Sequence, residues 1–298
     1  MAPSIYAGRR VFIATKHHKE QVVRIPFLAK LGATVVCYSG LDTDTLGTFS
    51  GRVVRTLSPK DAAVTKARAA ADANPDGLGI GSEGSVGSDP LVPFAITNEE
   101  LIAFVDKNIG LTCIARHTDY RPVYRSVEVR AAVDINNVLA NFPLKPYAAL
   151  VTAVPRASTW PLGVWSKRNG EIIEVAKEIR SLADLLAVVN RASHEKSYEH
   201  IHVTTDFRAH LNPRRMLTIG RAARRLTKKL ECACPRCSAP GFDVRKGLPG
   251  LPCESCGTPS RYAAAELWGC SVCGLEEERP RGDGLTVVGS QYCGYCNP

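Results

Sequence analysis

The sequence predicts an α/β protein in which a mixed-sheet, three-layer domain is followed by a C-terminal double zinc ribbon. Two observations indicate this class. Strand-like and helix-like apolar segments alternate through most of the chain, and eight of the eleven cysteines form four CxxC pairs near its end. We therefore divide the 298 residues into an α/β domain, residues 1–231, and a cysteine-rich zinc-binding domain, residues 232–298.

The chain begins with a strand, a loop, a helix and a second strand. The pattern predicts strands over residues 10–15 and 33–38, with a helix over residues 20–31 between them. The loop before the helix carries Lys16 and Lys19, and the free N–H groups and dipole of a helix N-terminus favour anions. These lysines form either a phosphate site or a solvated basic loop.

Carboxylates and another lysine follow in the next segment. Asp42 and Asp44 lie two residues apart, and they either supply oxygen ligands for Mg²⁺ or serve as turn and cap residues. After a predicted strand over residues 51–56, Ser58 caps a predicted helix. That helix carries Lys66.

A glycine-rich segment with one carboxylate comes next. A short strand over residues 78–81 leads into a predicted loop, residues 82–90, which contains Glu83. Glycines let a ligand approach the backbone closely, and a lone carboxylate there could bind a metal or activate water. The alternative is an ordinary turn. A hairpin is predicted after it, with strands over residues 101–106 and 111–116.

The middle of the chain contains a further set of predicted elements. They are a helix over residues 126–141, strands over residues 147–154, 172–176 and 201–205, and a helix over residues 182–192 that Ser181 caps. The segment after the last strand carries Asp206, Arg208 and His210. Because strand ends of α/β sheets collect ligands, these residues either face a ligand or form a structural ion pair beside a helix cap.

The helix predicted over residues 213–230 is amphipathic and basic. The net charge of the chain is +9, and residues 208–230 contain eight Lys or Arg and no acidic residue. Arg221, Arg225 and Lys228 share one face of this helix. That face either contacts nucleic-acid phosphates or is simply solvated.

The CxxC pairs are typical of zinc sites with four cysteine ligands. The pairs are Cys234/Cys237, Cys253/Cys256, Cys270/Cys273 and Cys293/Cys296. Fifteen residues separate the first pair from the second, and nineteen separate the third from the fourth, so joining first with second and third with fourth is simplest. Joining first with third and second with fourth stays open. We predict two closed, structural Zn²⁺ sites, with Cys232 left over.

Composition also bounds the partners and the location of the protein. No apolar run is long enough to span a bilayer, so we expect no membrane partner. The first residues lack the apolar core of a signal peptide. Because reduced cysteines with zinc are typical of the cytoplasm, we expect that location.

Several motifs together resemble one family. They are ATxHxKE near the start, GLDTDxxGTF, a GxxSEGSxG segment, TDxRAHxNPxRM and a cysteine-rich end that finishes in CNP. The combination resembles a bacterial family classed as a domain of unknown function, from about residue 12 to the C-terminus. This resemblance implies membership of a family but no activity.

The N-terminal order is also similar to the inosine/xanthosine triphosphate pyrophosphatase superfamily. Those enzymes have a strand ending in [ST]xNxxK, a helix with AxxxA or Ax[NK][RK]A, and a strand leading into an acidic, glycine-containing loop. In this chain Thr15 begins the first motif, residues 63–67 match the helix and residues 79–84 match the loop. His17 replaces the asparagine of the first motif, and Lys19 lies one residue before the position of its lysine.

The resemblance implies that Lys19 and Lys66 bind a triphosphate, while Glu83, with Asp42 or Asp44, holds Mg²⁺ and orients the attacking water. Our first hypothesis is therefore a Mg²⁺-dependent hydrolase of a nucleotide or other phosphorylated small molecule, with Glu83 catalytic. Its phosphate-binding residues are Lys16, Lys19, Lys66 and Arg208, and its Mg²⁺ ligands are Asp42, Asp44 and Glu83. The second hypothesis is a non-catalytic nucleic-acid-binding protein that uses the helix over residues 213–230 and the zinc ribbons.

Overall fold

The computed structural model describes residues 4–42, 57–89, 91–129, 162–168, 171–196, 198 and 200–298. Among these residues, no helix combines the length and the apolar character needed to cross a membrane. Three predictions lie outside the described residues: Asp44 and the strands over residues 51–56 and 147–154.

The first sheet has five strands, and it is mixed, as predicted. They are β1 Arg10–Ala14, β2 Thr34–Tyr38, β3 Leu78–Ser88, β4 Ile96–Asp106 and β5 Leu111–Asp119. The order is β2-β1-β3-β4-β5, with β1 parallel to both of its neighbours and β3, β4 and β5 antiparallel to one another. The carboxyl ends of β1, β2 and the first part of β3 therefore lie along one edge, where the loop after β1 crosses.

Helices cover both faces of this sheet. The four α-helices of the described chain are α1 Glu20–Leu31, α2 Pro59–Ala73, α3 Leu182–Ser193 and α4 Pro213–Leu230. The predicted ranges of α1 and α4 are confirmed. Gly32 ends α1 in a left-handed conformation (φ 64°), which glycine adopts without strain, and Asn212 caps α4 by accepting a bond from the Arg215 N–H. Side chains of α1 and α4 pack on one face, and α2 packs on the other.

The two faces are built from side chains of different size. The face towards α1 and α4 buries large residues such as Ile13, Ile80 and Phe104. The face towards α2 is a small-residue contact, because a Cβ atom at Gly81 would lie 2.5 Å from the Ala67 amide nitrogen and would also clash with the Ala63 carbonyl oxygen. The helix can approach this strand closely only because the strand presents glycine there.

The predicted glycine-rich loop over residues 82–90 is wrong for residues 82–88. Strand β3 continues without interruption to Ser88 and pairs with β4 residue by residue, with Glu83 opposite Leu101 and Gly84 opposite Glu100. The prediction failed because glycine has a low strand propensity, whereas the partner strand satisfies the backbone of this segment on one side. The hairpin of β4 and β5 is confirmed, with strands longer than predicted.

A second, four-stranded antiparallel sheet follows. Its strands are β6 Ser126–Val129, β7 Leu162–Arg168, β8 Glu171–Ile179 and β9 Ile201–Thr205, in the order β6-β9-β7-β8. Its core joins Val164 and Val203 to Leu185 and Val189 of α3. The helix predicted over residues 126–141 is wrong for residues 126–129, where the Ser-Val-Glu-Val alternation pairs with β9; the rest of that helix lies outside the described residues.

The C-terminal segment contains a third, antiparallel sheet of three strands. These are β10 Asp243–Pro249, β11 Ala263–Gly269 and β12 Glu276–Pro280, in that order. Lys229 near the end of α4 forms an ion pair with Asp243 at the start of β10. Gly241 packs close to the side chain of Leu111 on β5. The cysteine-rich segment is therefore attached to the first sheet by direct contacts.

Replacement of Gly81 by alanine should destabilise the protein. The added Cβ would clash with the α2 backbone at Ala63 and Ala67, so the helix would have to move away from β3, at a cost of about 1–3 kcal/mol. The measurement is the free energy of unfolding by urea denaturation. Gly87→Ala is the matched control, because it lies on the same strand with nothing within 4 Å of the added atom. Equal stabilities for the two variants would contradict the close packing of α2.

Candidate functional site

A buried lysine lies where the carboxyl ends of β1 and the first part of β3 meet. The loop from β1 turns at His18, whose φ of 54° is uncommon for a non-glycine residue, and Lys19 then begins α1. Lys19 is only 7% exposed, and its ammonium contacts the carbonyl oxygen and hydroxyl of Ser82 at 3.4 and 3.3 Å. No carboxylate among the described residues forms an ion pair with it.

A second buried lysine lies beside it, paired with the predicted catalytic residue. Lys66 projects from α2 and donates to the carboxylate of Glu83 on β3 at 2.5 Å. Both side chains are buried. Because α2 packs closely against Gly81, Lys66 on the helix can reach Glu83 on the strand.

The third buried cation is Arg215, near the start of α4. Its guanidinium donates to Glu100 at 2.6 Å and to the Phe207 carbonyl at 2.7 Å. Glu100 lies opposite Gly84 across the β3–β4 pair, and a Cβ at Gly84 would lie 2.5 Å from both Arg215 Nη2 and Glu100 Oε2. The missing side chain of Gly84 is therefore what leaves room for the ion pair over the strand.

Together these residues form what we call the cation cluster: Lys19, Lys66 and Arg215 with the carboxylates Glu83 and Glu100. Three cations against two carboxylates leave one positive charge in excess. Burial, followed by the charge of Arg215, lowers the pKa of Lys19 to about 8, although Glu100 and Glu83 act in the opposite direction. A lysine in this state is stabilised by a nearby anion.

Three histidines border the cation cluster. The rings of His17 and His210 are stacked with centroids 5.1 Å apart, and His18 meets His210 edge-on at 5.9 Å. Burial, followed by the charge of Lys19, lowers the pKa of His17 to about 3. Burial, followed by the charge of Arg208, also lowers the pKa of His210. Both imidazoles are therefore neutral at pH 7.

Arg208 and Asp206 form an ion pair next to the histidines. Arg208 donates to both carboxylate oxygens of Asp206, at 2.9 and 2.6 Å, and its guanidinium lies 3.0 Å from Glu178. Hydrogen bonds from Arg208 lower the pKa of Asp206 against the effect of burial. Asp206 and Arg208 therefore form the structural ion pair that the sequence left as an alternative. His210 instead contacts His17 and His18.

The structure gathers part of the predicted phosphate site. Lys19 and Lys66 are brought together, but Lys16 lies at the surface in an ion pair with Asp42 at 2.5 Å, and Arg208 is held by two carboxylates. Sequence reasoning missed Glu100 as a site residue, and it placed Arg215 only in a basic helix. The two are 115 residues apart, so only the pairing of β3 with β4 and the position of α4 bring them together.

The described residues do not contain a preformed Mg²⁺ site. Glu83 is bound to Lys66 and Asp42 to Lys16, so each of these predicted ligands already has a cationic partner. Among the residues with coordinates, the groups of three or more ligand atoms close enough to share an ion consist of cysteines alone. Asp44, the third predicted ligand, lies outside this part of the chain.

The eight cysteines form two groups of four, joined in the alternating order. One group holds Cys234, Cys237, Cys270 and Cys273, and the other holds Cys253, Cys256, Cys293 and Cys296. The simpler order, first pair with second, is therefore wrong. The antiparallel pairing of β10 with β11 places Asp243 opposite Gly269, which sets the first and third CxxC turns at one end of the sheet. Strand β10 carries the second turn to the other end.

Both cysteine groups suit a tetrahedral zinc ion. Within each group the sulfur atoms all lie within 4.8 Å of one another, and four thiolates are the donor set of closed structural zinc sites. Backbone N–H groups of Ser255, Cys273 and Tyr295 point at the sulfur two or three residues earlier, as in tight CxxC turns. Cys232 belongs to neither group, and its sulfur contacts the Lys228 carbonyl instead.

Comparison with known proteins identifies the family. Residues 66–298 match the family described as Domain of unknown function (DUF6671), so the chain belongs to this family. No curated protein matches the chain. No solved structure matches it either.

The alternating order can be tested by counting zinc ions. Replacing Cys237 and Cys273 by serine should remove one zinc ion per chain, because both ligands belong to one group. Replacing Cys237 and Cys256 should remove both ions, because each group then loses a ligand. The measurement is zinc content by elemental mass spectrometry, with Cys232→Ser as control. The reverse result, with both ions lost in the first double variant only, would contradict the alternating order.

Proposed function

We propose that the protein is an enzyme that binds a phosphorylated small molecule of nucleotide type at the cation cluster and hydrolyses it. The observation that carries this proposal is Lys19, a buried lysine without a carboxylate partner among the described residues. Removing an ammonium group from water is costly unless an opposite charge or good hydrogen bonds replace the solvent. An anionic ligand would supply both.

A phosphate group suits the cluster in charge and position. Three cations lie where β1 ends beside β3, next to the N-terminus of α1, and the two carboxylates neutralise only part of their charge. Phosphate oxygens would accept bonds from the ammonium of Lys19 and from donors of Lys66. The ligand would thus complete the charge balance of the buried cluster.

The pair of Lys66 and Glu83 suggests how water could be activated. When a phosphate oxygen shares the ammonium of Lys66, the carboxylate of Glu83 loses part of its bond and can accept a proton from a nearby water. The water then attacks phosphorus, and the leaving group departs with its electron pair. The similarity of the N-terminal motifs to the nucleoside triphosphate pyrophosphatase superfamily supports this class of reaction.

Magnesium enters this proposal as part of the substrate. Nucleotides carry Mg²⁺ on their phosphates, and Mg²⁺ commonly needs few protein carboxylates when phosphates and water complete its shell. In this proposal Glu83 and Glu100 bind Lys66 and Arg215, and they do not serve as Mg²⁺ ligands. The zinc sites have no place in the reaction because four cysteine ligands leave no open position.

Nucleic-acid binding by α4 is the weaker alternative. Arg214 binds Asp119, Arg215 binds Glu100, and Lys229 binds Asp243, so much of the charge of this helix is used inside the protein. Arg225 also donates to the Arg116 carbonyl. What remains is an exposed group of three basic residues: Arg221, Arg224 and Lys228. A group of this size is ordinary on a protein surface.

The proposal predicts phosphate or pyrophosphate release from a nucleoside triphosphate in the presence of Mg²⁺. Glu83→Gln should abolish release, because an amide cannot accept the proton from water. Lys19→Met should weaken substrate binding by about 10- to 100-fold, because it removes a charged hydrogen bond. A panel of standard and non-canonical nucleotides, with zinc left in place, is the measurement.

Two variants serve as matched controls for this experiment. Glu99→Gln changes a carboxylate on β4 that pairs only at 3.8 Å with Arg116, and Lys30→Met changes an exposed lysine of α1. Both should retain wild-type release. Absence of release by the wild-type protein across the panel would contradict hydrolysis, and equal binding by Lys19→Met and wild type would contradict the site.

A further inference from the structure

The surroundings of the cation cluster contain buried polar atoms that have no hydrogen-bond partner. Among the described residues six such side-chain atoms occur, and three of them belong to the cluster or to the histidines beside it: Glu100 Oε2, His17 Nδ1 and His210 Nδ1. Buried polar groups in native proteins are almost always satisfied. Their concentration in one place indicates that a ligand supplies the missing partners.

These atoms require a ligand of a different kind from bare phosphate. A carboxylate oxygen only accepts hydrogen bonds, and Glu100 is completely buried, with Oε1 bound to Arg215. A neutral imidazole has one donor and one acceptor nitrogen. Lys19 needs acceptor oxygens, whereas Glu100 Oε2 needs a donor. The complementary ligand therefore carries hydroxyl or N–H groups as well as anionic oxygens.

The two histidines lie next to the cations of the cluster. His17 lies two residues before Lys19 in the same loop, and His210 lies in a short 3-10 helix, Ala209–Leu211, just before α4. Arg215 donates to the carbonyl of Phe207, three residues before His210, and the rings of His210 and His17 are stacked. The stacked pair therefore lies beside Lys19 and Arg215.

We propose that His17 and His210 contact the substrate, and that the substrate is a phosphate ester with hydroxyl or N–H donors close to its phosphate, as in a sugar phosphate or a nucleotide. This inference rests on the proposed phosphate site and names the part of the substrate beyond the phosphate. In it, Lys19 binds the phosphate, while the two imidazoles and Glu100 bind the donors of the attached group.

Calorimetric titration of the full, zinc-loaded chain tests the inference with three probes. They are inorganic phosphate, ribose 5-phosphate and adenosine 5′-monophosphate. Ribose 5-phosphate or the nucleotide should bind at least about tenfold more tightly than inorganic phosphate, because its donors meet the unsatisfied atoms. A gain with both esters assigns the contact to sugar hydroxyls, and a gain with the nucleotide alone assigns it to the base.

Variants separate the two parts of the site. His210→Ala should remove about tenfold of the ester affinity and leave phosphate affinity unchanged, whereas Lys19→Met should weaken all three probes. His117→Ala is the matched control: His117 also has a buried Nδ1 without a partner, but its neighbours are Arg225 and Arg221. His210→Asn, which keeps a hydrogen-bonding side chain, should restore part of the loss, and melting temperatures check folding.

Two failures would be distinguishable. If inorganic phosphate binds through Lys19 but neither ester binds more tightly, the substrate class is wrong and the phosphate site stands. The same conclusion follows if His210→Ala weakens phosphate and esters equally. If none of the probes binds, or Lys19→Met binds them all as well as wild type does, the proposed phosphate site itself is overturned.

Discussion

The burial of positive charge where β1 ends beside β3 is the constraint on which the rest of the site depends. Glu83 holds Lys66, and Glu100 holds Arg215, so two of the three buried cations are neutralised inside the protein. Among the residues that the structure describes, the hydrogen bonds of the Lys19 ammonium are two long contacts to neutral oxygens of Ser82. Because a charge in this environment is costly without a counterion, the cluster is arranged for an anion.

Two glycines of β3 make this arrangement possible, because they leave space for neighbouring groups. Gly81 lets α2 approach β3 closely enough for Lys66 to reach Glu83, and Gly84 leaves space for the pair of Glu100 and Arg215. A glycine-rich strand is intrinsically weak, since glycine has no side chain to pack and loses the most conformational freedom. The strand persists because β1, β4 and α2 all pack against it.

The cysteine-rich segment, whose two groups of four cysteines could hold metal ions, is connected to the same site by α4. That helix carries Arg215 near its first turn and ends next to the first cysteine group, where Lys229 binds Asp243. Metal binding in small cysteine-rich segments contributes directly to their folding. Zinc would therefore stabilise the end of α4 that lies away from the cation cluster. The closed sites have a structural role in this account.

Local signals in the sequence were sufficient for many elements. Ser58 and Asn212 cap their helices, and Gly32 ends α1, because these interactions involve neighbouring residues. Long-range pairings were not predictable in the same way. The partnership of Glu100 with Arg215 depends on the positions of β4 and α4, and the order of the cysteine pairs depends on β10 carrying the chain across its sheet.

The motif resemblance implied that Lys19 and Lys66 act on one ligand. In the structure Lys19 contacts Ser82 and Lys66 contacts Glu83, which are consecutive residues of β3. Of the predicted Mg²⁺ ligands that the structure describes, Asp42 pairs with Lys16 and Glu83 with Lys66, because the sequence showed where the carboxylates were but not which lysines would bind them. Ion pairs between distant segments are decided by tertiary packing, and a single sequence contains no direct record of it.

The ionisation of Lys19 is the most direct test of the central claim. Nuclear magnetic resonance of the labelled lysine side chains, titrated with pH, would measure its pKa without and with inorganic phosphate. This account predicts a pKa near 8 in the free protein, because the ammonium is buried and lies near Arg215, and a clear rise when the anion binds. An ordinary lysine pKa in the free protein, or no change on adding phosphate, would contradict it.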